Sequence, residues 1–320
     1  MSAKAHSSPY ARILRVGIAV GLTAFVLWKA DVSAVVRATG DLDVRWAAVA
    51  VLLVLVDRAL NAYRWIALLA ALSPGSRPPF PTVLRIFFVS TFVGTFLPSV
   101  GGDIYRAYSL AREDVRVSES AASVLMDRVL GVLSIVVLAV AALLFVPQYL
   151  SDIRVGIALG LASAVCVVVG VVVFSERAAA RVRTWAGWLP GARFQRIAVT
   201  LHEAVRRYAH HHAALVMVSI ASIGVQILRV VQAYCLGRGL GIEVSLAYYL
   251  LFIPLIMLVM QVPITIAGLG TGQVAFDTLF RQVGVPANQG VALSLLFIAL
   301  GLIGNLPGAF LYGFAPPPKR

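Results

Sequence analysis

Six apolar runs on the scale of a bilayer crossing constrain this chain more than any other feature. They lie near Leu14 to Trp28, Trp46 to Leu72, Ser120 to Val146, Ile153 to Phe174, Ala213 to Leu236 and Gln289 to Phe314. A helix needs about 20 apolar residues to cross the hydrocarbon of a bilayer. The runs therefore predict an all-α polytopic membrane protein. Composition agrees: 60% of the 320 residues are hydrophobic and 13% are charged. Soluble domains carry about twice that charged fraction. Mean hydropathy is +0.90.

Two further apolar stretches, near Val83 to Leu97 and Leu246 to Val262, end abruptly in proline and glycine clusters. The first continues as Pro98-Ser-Val-Gly101-Gly102-Asp103-Ile-Tyr-Arg106, the second as Pro263-Ile-Thr-Ile-Ala-Gly268-Leu-Gly270-Thr-Gly272. Whether these stretches cross the membrane follows from the basic residues. Residues 175–212 carry Arg177, Arg181, Arg183, Arg193, Arg196, Arg206 and Arg207 against Glu176 and Glu203. Such an excess marks a cytoplasmic loop. The basic N-terminus and the Pro-Pro-Pro-Lys-Arg tail are assigned to the same side. The first run reads as an uncleaved signal anchor, since no small-residue cleavage site follows it.

All three anchors fit one topology only if neither interrupted stretch crosses. Each half then reads span, span, re-entrant hairpin, span, in opposite orientation. The expected units are 1–150, with a hairpin at about 83–117, and 151–320, with the basic loop and a hairpin at about 246–285. Short matches fall where this count places them. Arg58-Ala-Leu-Asn61-Ala62-Tyr63 in one half faces Arg229-Val-Val-Gln232-Ala233-Tyr234 in the other. Inverted repeats with broken helices near the midplane recur in secondary transporters, and the breaks mark the binding site.

Non-helical backbone at membrane depth is tolerated inside protein or against a water-filled cavity. Pro98 opens the first such break, and Gly101, Gly102, Gly268 and Gly270 would let a ligand approach the backbone. A helix starting behind each tip, at Asp103 and near Gly272, would aim its positive end at an anionic group. A packed helix break is the plain alternative. Ionisable residues inside spans are costly and default to functional candidates. Here they are Asp57, Arg58, Arg64, Asp127, Arg128 and Arg229, with Asp103 and Arg106 behind the first tip. Arg58 and Arg64, six residues apart, are not expected to share a helix face, whereas each shares one with Asn61. Arg229 and Gln232 are the repeat-mates of Arg58 and Asn61. Paired guanidinium groups suit phosphate through bidentate hydrogen bonds. The alternative, compatible with the first, has the three aspartates neutralising the arginines in buried ion pairs.

Other function classes find less support. A net charge of +13, with arginine at 24 of the 27 basic positions, is accounted for by cytoplasmic loops, so no nucleic acid is expected. Cys166 and Cys235 lie inside apolar spans with no paired spacing, which indicates neither a disulfide nor a metal knuckle. His210-His211-His212 ends a basic loop, and a solvated surface is expected there. Trp185, Trp188 and the periodic stretch up to Tyr208 suggest interfacial amphipathic helices on the inner leaflet. Asp41-Leu42-Asp43 is similar to the acidic pair of lipid-linked glycosyltransferases and keeps open a membrane enzyme acting on a polyprenyl-phosphate carrier. A non-transporting envelope scaffold is a third reading. No P-loop signature is present.

Taken together, Pro98-Ser-Val-Gly101-Gly102-Asp103-Ile-Tyr-Arg106, Ala122-Ser-Val-Leu-Met-Asp127-Arg128-Val-Leu-Gly131, Pro263 with Gly268-Leu-Gly270, and Tyr63-Arg64-Trp65 resemble the lysylphosphatidylglycerol synthase transmembrane family. That flippase-like family forms the membrane half of the multiple peptide resistance factor. The resemblance runs from about residue 10 to 314. It implies translocation of aminoacylated phosphatidylglycerol or polyprenyl-phosphate-linked sugars between leaflets, without catalysis or cofactor. Pro98, Gly102, Asp103, Arg106 and Arg128 match the family's polar positions, and Asp127 stands where glutamate is commoner. Thr271-Gly272-Gln273 replaces the family's usual Gly-x-Arg-Glu, so the substrate is not carried over. No aminoacyl-transferase domain follows residue 320, so a separate synthase or glycosyltransferase partner would make the lipid. The expected location is the inner membrane.

Overall fold

The computed structural model describes residues 42–72, 78–96, 101–113, 115–175, 192–261 and 270–314, together with 177, 181 and 184. Span one, Trp185, Trp188, Asp41, Pro98 and Gly268 lie outside the described residues. The described chain is helical and contains no strand.

Its elements are α1 (Val44–Leu72), α2 (Phe80–Phe96), α3 (Gly101–Ala111), α4 (Val117–Ala142), α5 (Ile153–Phe174), α6 (Ala192–Arg206), α7 (His212–Gly239), α8 (Leu246–Gln261), α9 (Thr271–Arg281) and α10 (Ala287–Phe314). Short 3₁₀ turns sit at Pro147–Tyr149 and Arg207–His210. Five helices, α1, α4, α5, α7 and α10, are long and apolar enough to cross a membrane. α2 has 17 residues and α8 has 16. At about 1.5 Å per residue each extends roughly 24–26 Å, short of the roughly 30 Å hydrocarbon core.

α1 and α7 make the most extensive helix contact. They run antiparallel. Asp43 N donates to Gly239 O, Leu60 packs near Gly224, and Tyr63 Oη donates to Met217 Sδ. α2 packs on α10, also antiparallel, since Phe88 and Phe92 meet Gly308 while Thr95 meets Asn305. The packing partners pair off in a regular way. α2 on α10 is answered by α8 on α4, α2 on α3 by α8 on α9, and α3 on α4 by α9 on α10.

Three apolar clusters hold these contacts. Trp65, Phe87, Leu110 and Val115 join α1 to the α2 and α3 arms. Tyr249, Phe252, Phe276 and Phe280 dominate the cluster around α8 and α9. The third forms where Ala204, Val205 and Tyr208 reach Leu68, Ala122 and Val218. The expected amphipathic stretch is a helix over Ala192–Arg206, and the apolar face of its C-terminal part packs on α4 and α1. Apolar residues of α5, among them Ile157, Leu161 and Val165, stay exposed on a span with little protein around it, as suits a lipid-facing helix.

The α2 and α3 arms approach so closely that glycine is required. A Cβ on Gly102 would lie 2.7 Å from Ser90 O and 2.8 Å from Gly94 Cα. This contact sets the first turn of α3 beside the C-terminal half of α2, and so brings Arg106 to Ser90.

Candidate functional site

Two adjoining cavities of about 370 and 330 Å³ lie within the bundle. Both are lined by Arg58, Asp103, Arg106, Arg128 and Arg229, and the smaller one also by Arg64 and Asp127. The arginines come from four helices: Arg58 and Arg64 from α1, Arg106 from α3, Arg128 from α4, Arg229 from α7. Charges in apolar helices must face protein or water, and here they converge.

Asp57, 1% exposed, joins α1 to α7. Its Oδ2 lies 2.8 Å from Arg58 Nη1, and its Oδ1 accepts from Arg229 Nε at 3.2 Å. Arg58 Nη2 also donates to Gly301 O of α10. Asn61 donates to Asp57 O and accepts from Arg64 Nη1, which locks the polar strip of α1. Asp127 is likewise shared, with Oδ1 3.0 Å from Arg64 Nη2 and Oδ2 3.6 Å from Arg106 Nη1. Arg106 Nε donates to Ser90 Oγ, and its guanidinium stands over the rings of Phe87 and Trp65 at 4.9 and 5.1 Å. Such a cation over an aromatic face gains electrostatic attraction. Arg128 Nε meets Asp103 Oδ2 at 2.7 Å and keeps nearly half its side chain exposed. Asp103 sits in the first turn of α3, where a carboxylate also complements the helix dipole.

Donors remain to spare. Arg58 Nε, Arg64 Nε and Gln232 Nε2 are buried without a hydrogen-bond partner. No cluster of metal-binding side chains occurs among the described residues.

A family model described as the lysylphosphatidylglycerol synthase TM region matches residues 12–308. The chain belongs to that family. No curated protein and no solved structure matches it. Membership of the lysylphosphatidylglycerol synthase transmembrane family, with five apolar helices, makes this a multi-pass membrane protein with a lipid-related role.

Most of the family-like and repeat-matched positions meet at the cavities. Arg58, Asn61, Arg64, Gly102, Asp103, Arg106, Asp127, Arg128, Arg229 and Gln232 line one or both. Gly101 and Gly270 line neither. Gly270, at φ 92°, shapes the entry into α9, and its N–H donates to Gln273 Oε1. The glutamine that replaces a charged pair of the family thus caps its own helix. The described part of the second tip offers the cavity no glycine backbone, and Met257, Met260 and Gln261 at the end of α8 stand there instead. Arg58 and Arg64, six residues apart on α1, both line the smaller cavity.

Ser90, Thr91, Thr95 and Asn305 escaped sequence reasoning. Thr95 Oγ1 accepts from Asn305 Nδ2 at 2.9 Å, linking α2 to α10 at the cavity wall. An amide inside the last apolar run was the available signal. Asp43, weighed as a catalytic carboxylate, accepts from Arg45 N at 2.9 Å and caps α1. His211 and His212 are exposed at the start of α7.

Proposed function

We propose that this protein is a lipid transporter of the inner membrane that moves an anionic lipid between leaflets, with both termini in the cytoplasm. The observation that carries the reading is the convergence of five arginines from four helices on cavities inside an apolar bundle. An anionic headgroup drawn through hydrocarbon needs counter-charges there, and membership of a lipid-related family favours a lipid over a soluble anion. The headgroup binds the arginines beside the first turn of α3, and the acyl or prenyl tail stays in lipid. The two halves, inverted repeats each with one re-entrant hairpin, rock about the site and expose it to either side in turn. The antiparallel α1 and α7 and the paired-off helix contacts support that symmetry. The chain carries lipid without chemically altering it.

Leaflet-to-leaflet transfer of a fluorescent anionic lipid in proteoliposomes tests this. Arg106→Ala and Arg128→Ala should each lower the rate at least tenfold. Unchanged transfer in both, with intact helical content, would refute the assignment.

A further inference from the structure

The ion pairs fix the charge of the site. Arg58 and Arg229 share one carboxylate, Asp57. Arg64 and Arg106 share another, Asp127. Arg128 is matched by Asp103. Each sharing pair keeps one uncompensated positive charge, and the lining contains no lysine, histidine or glutamate. Residues 97–100 and 262–269, the two tip segments, have no ionisable side chain in the sequence. The described cavity lining is therefore doubly positive, inside a bundle where an unmatched charge is expensive.

The buried polar atoms of the lining residues have the same bias. Unpartnered donors are Arg58 Nε, Arg64 Nε and Gln232 Nε2, the last on a residue 3% exposed. Against them stand two acceptors without a hydrogen bond, Asn305 Oδ1 and Asp127 Oδ1, and the latter lies 3.0 Å from Arg64 Nη2. With five arginines against three carboxylates, the lining suits a ligand rich in acceptor oxygens.

We propose that the headgroup is a dianionic phosphoryl group, as in a lipid ending in a phosphomonoester, and that an aminoacylated phosphatidylglycerol is disfavoured. This rests on the transport reading above and sharpens its substrate. A phosphomonoester carries about −1.5 to −2 charges at pH 7 and three acceptor oxygens. A phosphodiester such as phosphatidylglycerol brings one charge and leaves the site positive. A lysyl headgroup brings ammonium groups to a lining whose three carboxylates are all engaged by arginine.

Binding decides the matter independently of transport. Native mass spectrometry or ligand-induced thermal shift of the full chain compares phosphatidate, phosphatidylglycerol and lysylphosphatidylglycerol of equal acyl length. At pH 7.5 phosphatidate should bind at least tenfold tighter than phosphatidylglycerol, and lysylphosphatidylglycerol weakest. Lowering the pH to 5.5 should narrow the gap, because the monoester regains a proton near pH 6. Arg229→Gln should narrow it at pH 7.5. Equal or tighter binding of either phosphatidylglycerol lipid overturns the proposal. Inorganic phosphate competing as strongly as phosphatidate overturns its lipid part. The preference without transfer in vesicles would sink the transport reading and leave the phosphoryl site standing. Transfer without preference would do the reverse.

Discussion

Asp57→Asn tests the site's central ion pair most directly. Asp57 is 1% exposed and sits 2.8 Å from Arg58 Nη1 and 3.2 Å from Arg229 Nε. At an effective dielectric of about 20, unit charges roughly 3 Å apart attract by about 5 kcal/mol, much of it spent on desolvation. Removing one partner of a buried pair typically costs about 3–5 kcal/mol, because the other charge is stranded. Two guanidinium groups are stranded here, yet they keep 14% and 21% of their side-chain surface and face a cavity. The lower end, about 3 kcal/mol, is therefore expected. At about 2–4 °C per kcal/mol the melting temperature of the detergent-solubilised protein should fall by at least about 6 °C. Arg229→Gln in the Asp57→Asn background should cost less than it does alone, with a coupling of at least about 1 kcal/mol. Added phosphatidate should raise the melting temperature more in Asp57→Asn than in the wild type, since the cavity has gained a positive charge. A fall below about 2 °C with no coupling would mean that Asp57 is solvated, and the charge arithmetic would fail with it.

Gly102→Ala drives a Cβ to 2.7 Å from Ser90 O and 2.8 Å from Gly94 Cα, backbone atoms that cannot swing away. It should cost about 1–3 kcal/mol and abolish lipid transfer, whereas Gly156→Ala, with open space around its Cβ, should leave both melting and transfer unchanged. Tyr208→Phe deletes the hydrogen bond from Oη to Leu68 O at 2.9 Å and should cost about 1 kcal/mol in thermal unfolding. Burial pushes the Tyr208 phenol up from its ordinary value of 10.0, so above pH 10 the unfolded chain releases a proton that the folded chain keeps. Stability should therefore decline above pH 10 in the wild type, and less steeply in Tyr208→Phe. Glu119→Gln loosens a carboxylate, 2% exposed, that pairs with Arg116 and, at 2.8 Å, with Arg207. Hydrogen exchange should then rise through residues 199–210 and stay unchanged in α9.

Much of this architecture was readable because membrane insertion makes errors costly. Long apolar runs can only be spans, and α4, α5, α7 and α10 begin within a few residues of the expected places. Charges left inside such runs need partners, and so Arg58, Arg64, Arg128 and Arg229 stood out before any contact was known. Hydroxyls do not stand out. Ser90 and Thr91 each donate to Phe87 O, and Thr95 donates to Thr91 O, so a helix in hydrocarbon accommodates them at little cost. Their roles beside Arg106 and Asn305 appear only when α2 meets α3 and α10.

Pairing was the harder inference. Asp127 and Arg128 are adjacent, which invites a local ion pair like that of Asp57 with Arg58. Neighbours on a helix point about 100° apart, so each can instead reach a different helix. Asp127 turns to Arg64 and Arg106, while Arg128 turns to Asp103. These links stay among α1, α3 and α4. At the cavities, the ion pair that leaves this group is Asp57 with Arg229 on α7, beside the weaker ties from Arg58 to Gly301 O and from Gln226 to Ser134 Oγ; away from them, Glu119 of α4 also pairs with Arg207. If the halves rock, most of the site travels as one body with the first half. The site contact that must open is then Asp57 to Arg229, and a dianionic headgroup is suited to take the carboxylate's place on Arg229 as it does.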